Sequence, residues 1–319
     1  MKKIGILTSG GDAPGMNAAV RSVVRTAVSL GIEVVGIRKG YNGLIDGDFI
    51  SLDARSVSDI INRGGTFLFT ARSPMFKTEE GMQKAIDNCK KAGIEGIVVM
   101  GGDGSFRGAL DLSTRGIPCI GIPCTIDNDI ASTEYTIGFD TALNTAVEMI
   151  DRIRDTAQSH DRCSVVEVMG RNAGYIALHT GIAVGATAIL IPEVKPDIDA
   201  VIAKIKKTQK NGRHHFIVIL AEGVGGINDI SKKIEEETGI VTKATVLGHV
   251  QRGGAPTLRD RLVATQMGYA AVQLLSHGIG NRVICMRGED IVDEDIKTAL
   301  EMRKPFDFDL IKITEEVSI

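Results

Sequence analysis

Two carboxylates stand two residues apart in the stretch P-C-T-I-D-N-D-I (123–130), directly after an apolar run. Asp and Asn are poor strand formers, so the run is expected to end at this point. An ordinary turn explains the pattern at least as well, because Asp and Asn side chains hydrogen-bond to nearby backbone and are common in loops. If cations lie beside Asp127 or Asp129, that carboxylate stays ionised at neutral pH and can take a proton from a hydroxyl group.

A third carboxylate, Asp103, lies between glycines in G-G-D-G (101–104), at the end of another apolar run. Glycines let the backbone approach phosphate oxygens closely, whereas a carboxylate at that place repels phosphate unless a cation lies between them. Asp103 is therefore a candidate ligand of Mg²⁺, which prefers oxygen donors. The chain has no G-x-x-x-x-G-K-S/T motif here and no G-x-G-x-x-G after its first apolar run, so an ordinary P-loop and a dinucleotide site are both disfavoured.

Phosphoryl transfer needs a cradle for phosphates, cations around the moving group and a carboxylate that orients the acceptor hydroxyl. The glycine-rich stretches 9–12 and 101–105 are candidates for the cradle, and Arg72 and Arg171 are candidate charge clamps. A tight strand-to-helix turn without a ligand explains any one of these stretches about as well. Their combination favours a wide phosphate-binding cleft.

Short β-branched runs alternate with longer segments of helical period along the chain. The predicted strands are 4–7, 34–37, 97–100, 120–122, 165–169, 188–191, 217–220 and 283–286. The helix candidates are 16–30, 79–92, 141–157, 200–210 and 257–275. This alternation predicts an α/β protein with mainly parallel sheets covered on both faces. Such sheets bind ligands at the carboxyl ends of their strands, where helix N-termini expose unpaired N–H groups to anions.

Composition is that of an ordinary globular protein: 319 residues, 43% hydrophobic and 24% charged, with a formal net charge of −3. A length prior of about 150 residues per domain suggests two domains. The charge favours neither nucleic acid nor an anionic membrane, and no apolar run reaches the ~18 residues of a membrane span. Five widely spaced cysteines without zinc-type spacing fit a reducing compartment, so we expect a cytoplasmic protein.

Six motifs in order along the chain resemble those of the bacterial ATP-dependent 6-phosphofructokinase family. They are L-T-S-G-G-D-A-P-G-M-N-A-A-V-R (7–21), R-G-G-T-F-L-F-T-A-R (63–72), G-G-D-G-S (101–105), T-I-D-N-D-I (125–130), M-G-R-N-A-G (169–174) and L-G-H-V-Q-R-G-G-A-P-T (247–257). The resemblance implies two Rossmann-like three-layer α/β/α lobes. It also implies glycolytic transfer of a phosphoryl group from Mg-ATP to the 1-hydroxyl of fructose 6-phosphate, giving fructose 1,6-bisphosphate and ADP.

The resemblance implies roles residue by residue. Asp127 corresponds to the base that deprotonates the sugar hydroxyl, and Asp129 supports the site. Thr125 and Arg171 correspond to residues that contact the transferring group, and Gly11 lends a backbone N–H. The implied nucleotide-binding set is Gly11, Tyr41, Arg72, Ser73, Phe76, Gly102, Asp103, Gly104, Ser105 and Gly108. The implied sugar-phosphate set is Thr125, Ile126, Asp127, Arg162, Met169, Gly170, Arg171, Glu222, Lys243, His249, Val250, Gln251 and Arg252.

In the family, the residues corresponding to Arg162 and Lys243 come from a neighbouring subunit, which implies a homotetramer built as a dimer of dimers. His249 by itself is better explained as a hydrogen-bonded core histidine, but its place in G-H-V-Q-R-G-G favours substrate binding. An effector site for ADP or phosphoenolpyruvate is also implied. Its residues are Arg21, Arg25, Arg55, Asp59, Arg154, Gly185, Thr187, Asn211, Arg213, His214 and His215. Arg21 and Arg25 alone are better explained as a solvated helix face.

Some positions depart from the family pattern. Cys124 stands where ATP-using members usually have Gly and pyrophosphate-using relatives have Lys, while Gly104 is the ATP-type residue, so ATP is the expected donor. The Cys124 side chain is expected to crowd the nucleotide, and its thiol is oxidisable if exposed. Lys243 replaces an Arg and exchanges a bidentate fork for a point charge. Asn211 replaces a basic residue and Thr187 replaces an acid that helps hold effector magnesium, so we expect a weakened effector site in which ADP activation is the more impaired.

The resemblance places a nucleotide-binding lobe at residues 1–138 with 252–305 and a sugar-phosphate-binding lobe at 139–251 with 306–319. Two rival functions stay open at this point: a pyrophosphate-dependent phosphofructokinase, and a sensor of the same fold that binds sugar phosphate or nucleotide without turnover. Retention of Asp103, Asp127, Asp129 and Arg171 together argues against the sensor.

Overall fold

The computed structural model describes residues 1–317 as alternating strands and helices. The strands are β1 (Lys3–Thr8), β2 (Glu33–Ile37), β3 (Phe49–Leu52), β4 (Gly96–Gly101), β5 (Cys119–Pro123), β6 (Cys163–Val168), β7 (Ala188–Leu190), β8 (Phe216–Ala221), β9 (Thr242–Val246), β10 (Arg282–Arg287) and β11 (Asp290–Asp295). The helices are α1 (Met16–Ser29), α2 (Tyr41–Asp46), α3 (Glu79–Ala92), α4 (Asp103–Thr114), α5 (Phe139–Ser159), α6 (Tyr175–Ala183), α7 (Ile198–Lys210), α8 (Ile227–Thr238), α9 (Leu258–Ser276), α10 (Ile296–Glu301) and α11 (Phe308–Val317). Two 3-10 helices lie at Met75–Lys77 and Gly248–Arg252.

Two sheets organise these elements. The larger has the strand order β11-β10-β5-β4-β1-β2-β3, and the smaller has the order β7-β8-β6-β9. In the larger sheet only the edge pairs β2–β3 and β10–β11 are antiparallel, whereas every pair in the smaller sheet is parallel. The predicted α/β class with mainly parallel sheets is therefore confirmed.

Apolar side chains fill both faces of the larger sheet. Leu7, Ile97 and Val99 join a core with residues of α2, α3, α4 and α10. Ile6 and Val98 alternate with them along β1 and β4 and are fully buried on the opposite face, because successive side chains of a strand point to opposite sides. Helix α9 contacts β4 and β5 and packs against α1. Burial on two faces explains why these strands read as continuous apolar runs in the sequence.

The smaller sheet has its own core. Val165, Val218 and Leu220 pack with Ile205 of α7 and Ile234 of α8. Helix α6 contacts β6, β7 and β8. Strand β9 is largely exposed at the sheet edge, so its polar sequence T-K-A-T-V carries no strong strand pattern.

The chain divides into two compact units. The first unit comprises Met1–Ile126, Ile130–Thr141 and Arg252–Lys304, and the second comprises Asp127–Asp129, Ala142–Gln251 and the chain from Pro305 onward. These limits lie close to the predicted lobes, except that 127–129 group with the second unit. The binding roles assigned to the two lobes stay predictions. Within residues 1–317 no helix has both the length and the apolar character needed to cross a membrane.

Candidate functional site

Three loops of the first unit lie side by side at the carboxyl ends of β1, β4 and β5. Ser9 N donates to Met100 O at 2.9 Å, and Cys124 N donates to Gly101 O at 3.0 Å. A Cβ atom at position 101 would lie 2.5 Å from Ser9 O and 2.4 Å from Ser105 Oγ, so only glycine fits between these loops. The parallel register thus brings stretches 9–12, 101–105 and 124–125 to one edge of the sheet. That these stretches bind phosphate stays a prediction.

The loop 63–72 is tied to the end of β1. Thr8 Oγ1 donates to Phe69 O at 2.7 Å, and Thr70 Oγ1 donates to Gly10 O at 2.7 Å. Arg72 follows this anchored segment, and its side chain is exposed. An exposed guanidinium two residues from an anchored backbone is suited to binding phosphate oxygens.

Asp103 is partly buried in the first turn of α4, where a carboxylate interacts favourably with the helix dipole. Among residues 1–317 no group of three or more His, Cys, Asp or Glu side chains could enclose a metal ion. Mg²⁺ is commonly held by one or two carboxylates together with substrate phosphates and water. A single carboxylate beside a phosphate cradle fits that mode of binding.

Tyr41, Phe76 and Gly108 come together, as the nucleotide-site prediction requires. The two rings stack with centroids 4.0 Å apart, and Tyr41 Oη donates to Ser105 O at 2.5 Å. A Cβ at position 108 would lie 2.8 Å from the Tyr41 ring. Both rings are buried, and burial raises the pKa of Tyr41 well above its ordinary value. Neither ring offers an open face to a base, so their structural effect is to fix the position of Ser105.

Cys124 is 1% exposed. The expectation that its side chain crowds a nucleotide is wrong, because the side chain is enclosed by protein. The exposure on which oxidation of its thiol was made conditional is not met. Burial raises the pKa of this thiol, and the negative charge of Asp260 raises it further.

Asp127 and Asp129 lie in a tight turn of the second unit. Asp127 is buried at 6% exposure, and Asn128 between them has a φ of 50°. Asn tolerates this left-handed conformation better than most residues. The turn interpretation and the catalytic one are therefore compatible, since the turn is what holds the two carboxylates.

The segment that follows β6 is bound by two side chains of the second unit. Glu222 Oε1 accepts from Gly170 N at 3.2 Å and also from Arg171 N. Gln251 Oε1 accepts from Met169 N at 2.8 Å. Arg171 has a φ of 59° and an exposed side chain. Five residues of the predicted sugar-phosphate set thus converge at the carboxyl end of β6.

His249 and Val250 are exposed on the 3-10 helix that also carries Gln251. The alternative of a buried core histidine at 249 is therefore wrong. Arg252, the next residue of the set, lies against the first phosphate loop, where its Nη1 donates to Asp12 O at 3.2 Å.

Arg162 and Lys243 lie at the opposite end of β6 from Met169. Arg162 directly precedes the strand, and Lys243 pairs with Ser164 at its beginning. At ~3.3 Å per residue, Arg162 lies seven steps or about 23 Å from Met169, and Lys243, opposite Ser164, lies five steps or about 17 Å from it. The two ends of β6 are too far apart to bind one small sugar phosphate together.

Three basic effector candidates cluster in the second unit. Arg154 Nη2 donates to Val184 O, and Arg213 Nε donates to His215 O at 3.3 Å. Burial and then the charge of Arg154 lower the pKa of Arg213. Burial, followed by repulsion from Arg213 and Arg154, lowers the pKa of His215. Mutual repulsion among these cations favours the binding of an anion.

Thr187 is fully buried, and its Oγ1 has no hydrogen-bond partner among residues 1–317. A buried hydroxyl cannot replace an acid as a magnesium ligand. Gly185, Asn211 and His214 are exposed near the cluster in sequence.

The remaining effector candidates belong to the first unit. Arg21 and Arg25 share one face of α1, and burial together with the Arg25 charge lowers the pKa of Arg21. Arg55 and Asp59 are exposed in the turn region after β3, where Asp59 has a φ of 57°.

One buried polar residue escaped the sequence analysis. Asp260 lies in the first turn of α9 and is fully buried. Asp260 comes three residues after Thr257, whose side chain accepts a hydrogen bond from Asp260 N. This is the pattern of an ordinary helix start. Its partners are more than 100 residues away, and no local signal identifies them.

These features define a class: an α/β protein with mainly parallel sheets, glycine-rich loops at the carboxyl ends of its strands and an acidic helix start beside them. The chain belongs to the phosphofructokinase family, whose model matches residues 3–275. Relatives from Bacillus pumilus and Clostridium tetani are both named ATP-dependent 6-phosphofructokinase. They are 54% and 55% identical to this chain, with 100% of each chain covered.

Solved structures agree with the family assignment. A phosphofructokinase from Saccharomyces cerevisiae is similar with a TM-score of 0.89 and 36% identity, over 94% of this chain and 45% of the yeast chain. A pyrophosphate-dependent phosphofructokinase from Marinobacter aquaeolei has a TM-score of 0.85 at 22% identity, covering 96% of this chain and 86% of its own, which shows the common fold.

Proposed function

We propose that this protein is an ATP-dependent 6-phosphofructokinase that converts fructose 6-phosphate and ATP into fructose 1,6-bisphosphate and ADP in glycolysis. The observation that carries the proposal is the identity of 54–55% over the whole chain with relatives named for that reaction. The absence of a lysine at position 124 is in accord with ATP as donor. With free, buried cysteines, the protein is suited to the reducing cytoplasm.

ATP phosphates are bound by the strand-end loops of the first unit. The backbone of Gly11 and of stretch 101–105 supplies N–H donors, and Arg72 supplies positive charge to the phosphates. Asp103 would hold Mg²⁺, which supplies charge neutralisation on the transferring phosphates when bound. Ser105 is fixed by the Tyr41 hydroxyl, so this part of the cradle is preorganised.

Asp127 accepts the proton of the 1-hydroxyl and thereby orients the nucleophile. Its low exposure reduces competition from water, and Arg171 and Thr125 stabilise charge on the group in transfer. Met169, Glu222, His249 and Arg252 bind the sugar phosphate. Glu222 and Gln251 also hold the 169–171 backbone in place, which positions Arg171.

A homotetramer, built as a dimer of dimers, completes the sugar-phosphate site. The separation of Arg162 and Lys243 from Met169 along β6 supports this, because these cations serve a sugar phosphate only if it belongs to a neighbouring subunit. The clustered cations Arg154, Arg213 and His215 are proposed to bind the anionic effectors ADP and phosphoenolpyruvate. Buried Thr187 leaves effector magnesium without its acid, so ADP activation is the weaker response.

The deciding experiment offers the purified protein fructose 6-phosphate with either Mg-ATP or Mg-pyrophosphate and identifies the product by phosphorus NMR. We expect fructose 1,6-bisphosphate to form with Mg-ATP and not with Mg-pyrophosphate. Product formed with Mg-pyrophosphate and not with Mg-ATP would refute the proposal. Asp127→Asn should lower kcat by about 10² or more, the scale for loss of a general base, while calorimetry still detects fructose 6-phosphate binding. Asp229→Asn, an exposed carboxylate of the second unit, is the matched control and should keep normal turnover.

A further inference from the structure

Asp260 accepts four hydrogen bonds from the segment 135–141, all within the first unit. Its Oδ1 accepts from Tyr135 Oη at 2.5 Å and from Gly138 N at 2.7 Å. Its Oδ2 accepts from Thr141 N at 2.9 Å and from Thr141 Oγ1 at 2.5 Å. Each carboxylate oxygen is therefore paired with one hydroxyl group and one backbone N–H.

The same segment contacts the strand end that carries Thr125. Thr125 N donates to Ile137 O at 3.1 Å, and Thr136 Oγ1 donates to Thr125 O at 2.7 Å. Ile137 N donates in turn to Pro123 O at 3.0 Å. Both polar backbone groups of Thr125 are thus bonded to residues that lie between the anchors of Asp260.

Only a carboxylate satisfies all four donors at position 260. The two hydroxyl groups can rotate and accept a hydrogen bond, but the N–H groups of Gly138 and Thr141 can only donate. An asparagine has one oxygen, so in either orientation its NH₂ group faces one of these two N–H groups. A neutral isostere therefore fits the space and breaks the network.

Burying a carboxylate is costly unless it is fully hydrogen-bonded. Burial raises the pKa of Asp260, and the hydrogen bonds from Thr141, Tyr135 and Gly138 oppose that shift. Gly138 and Thr141 stand at the beginning of α5, where the helix dipole also favours negative charge. The anion is thus matched to its surroundings, and its free-energy cost is offset by donors that belong to one segment.

We propose that Asp260 is a positioning residue for phosphoryl transfer, which acts by holding segment 135–141 so that Thr136 and Ile137 fix the backbone of Thr125. The proposal rests on the proposed function, in which Thr125 contacts the transferring group. Asp260 is buried and acts only through this segment, so its loss changes where Thr125 lies and not which groups are present.

Asp260→Asn tests this. Misplacing a group near the reacting atoms by about 1 Å can cost on the order of 10² in rate, so we expect kcat to fall about 10- to 100-fold while KM for both substrates changes by less than about 3-fold. Hydrogen exchange followed by mass spectrometry gives a readout that does not depend on turnover. Peptides that contain Thr125 and Ile137 should exchange faster in the variant, whereas peptides from β2 should not.

Ser22→Ala is the matched control. Ser22 lies on α1, is buried and donates to Thr265 O of α9 at 2.6 Å, and no described hydrogen bond joins its side chain to segment 135–141. It should lower stability through one lost hydrogen bond and leave kcat and the exchange of Thr125 unchanged. If Asp260→Asn does not fold, Tyr135→Phe removes a single donor and retains the charge, and it should lower kcat about 2- to 10-fold on the same reasoning.

The outcomes separate the two proposals. If the wild-type protein does not phosphorylate fructose 6-phosphate with ATP, the proposed function fails, while the exchange measurement still tests the link from Asp260 to Thr125. A kcat within about twofold of wild type in Asp260→Asn would overturn the positioning role. So would unchanged exchange at Thr125, or an equal loss of kcat in Ser22→Ala.

Discussion

Gly108 and Gly104 lie in the same helix, α4, and replacing each with alanine separates packing from helix propensity. Glycine is a poor helix former, so the change gains about 1 kcal/mol of propensity at the interior position 108 and less than that at position 104, in the first turn. At position 104 the new Cβ meets nothing within 4 Å, so Gly104→Ala should raise the free energy of unfolding slightly. At position 108 the new Cβ would lie 2.8 Å from the Tyr41 ring.

The cost at position 108 has two parts. The ring cannot move away freely, because it is buried and stacked on Phe76 at 4.0 Å. Overpacking of this kind costs about 1–3 kcal/mol. A displaced ring also loses its 2.5 Å hydrogen bond to Ser105 O, and leaving buried partners unpaired costs about 1–3 kcal/mol. With the propensity gain subtracted, Gly108→Ala should lose about 1–5 kcal/mol of stability.

Urea unfolding followed by far-ultraviolet circular dichroism measures both variants against wild type. Tyr41→Phe provides a second control, since it removes the hydroxyl and should reduce the penalty of Gly108→Ala by the hydrogen-bond part, about 1–3 kcal/mol. The KM for ATP should rise in Gly108→Ala, because Ser105 loses the contact that fixes it. A Gly108→Ala protein as stable as Gly104→Ala would refute the packing argument.

Three further results are expected. Lys243→Arg should lower KM for fructose 6-phosphate with little change in kcat, because a guanidinium fork fits phosphate better than an ammonium group does. A rise of KM in steady-state kinetics would contradict this prediction. Burial, followed by repulsion from Arg213 and Arg154, holds the pKa of His215 below its usual value, and a bound anion raises that pKa. Binding of the anion then takes up a proton, so calorimetry should show phosphoenolpyruvate binding more tightly at pH 6 than at pH 8. His215→Gln should flatten this slope more than His214→Gln does, and equal slopes in the two variants would exclude the role. All five cysteines are buried, and burial raises the pKa of Cys89 and of Cys163 to about 12. Iodoacetamide at pH 8 should therefore label no cysteine in the native protein and all five after unfolding in guanidinium. Rapid labelling of the native protein would contradict the structure.

Local sequence determined most of the fold. The apolar runs at 97–100 and 217–220 lie within β4 and β8, because strands covered on both faces have no polar side and stand out from their surroundings. Helix α9 lies within one residue of the helix predicted at 257–275. The sequence did not predict β9, because an exposed edge strand needs no apolar pattern. The glycine-rich turn after β4 was predicted to open a helix, and α4 begins there at Asp103.

Sequence also identified the candidate residues at strand ends, since Gly101 to Ser105 and Asp127 to Asp129 are contiguous in the chain. Tertiary structure alone decided how they are supported. The four donors to Asp260 come from residues more than 100 positions away, and the distance between Lys243 and Met169 follows from the register of β6 with β9. The burial of Cys124 is likewise a property of its surroundings. Local patterns report backbone preference and burial along one element, whereas these contacts depend on which elements the folded chain places side by side.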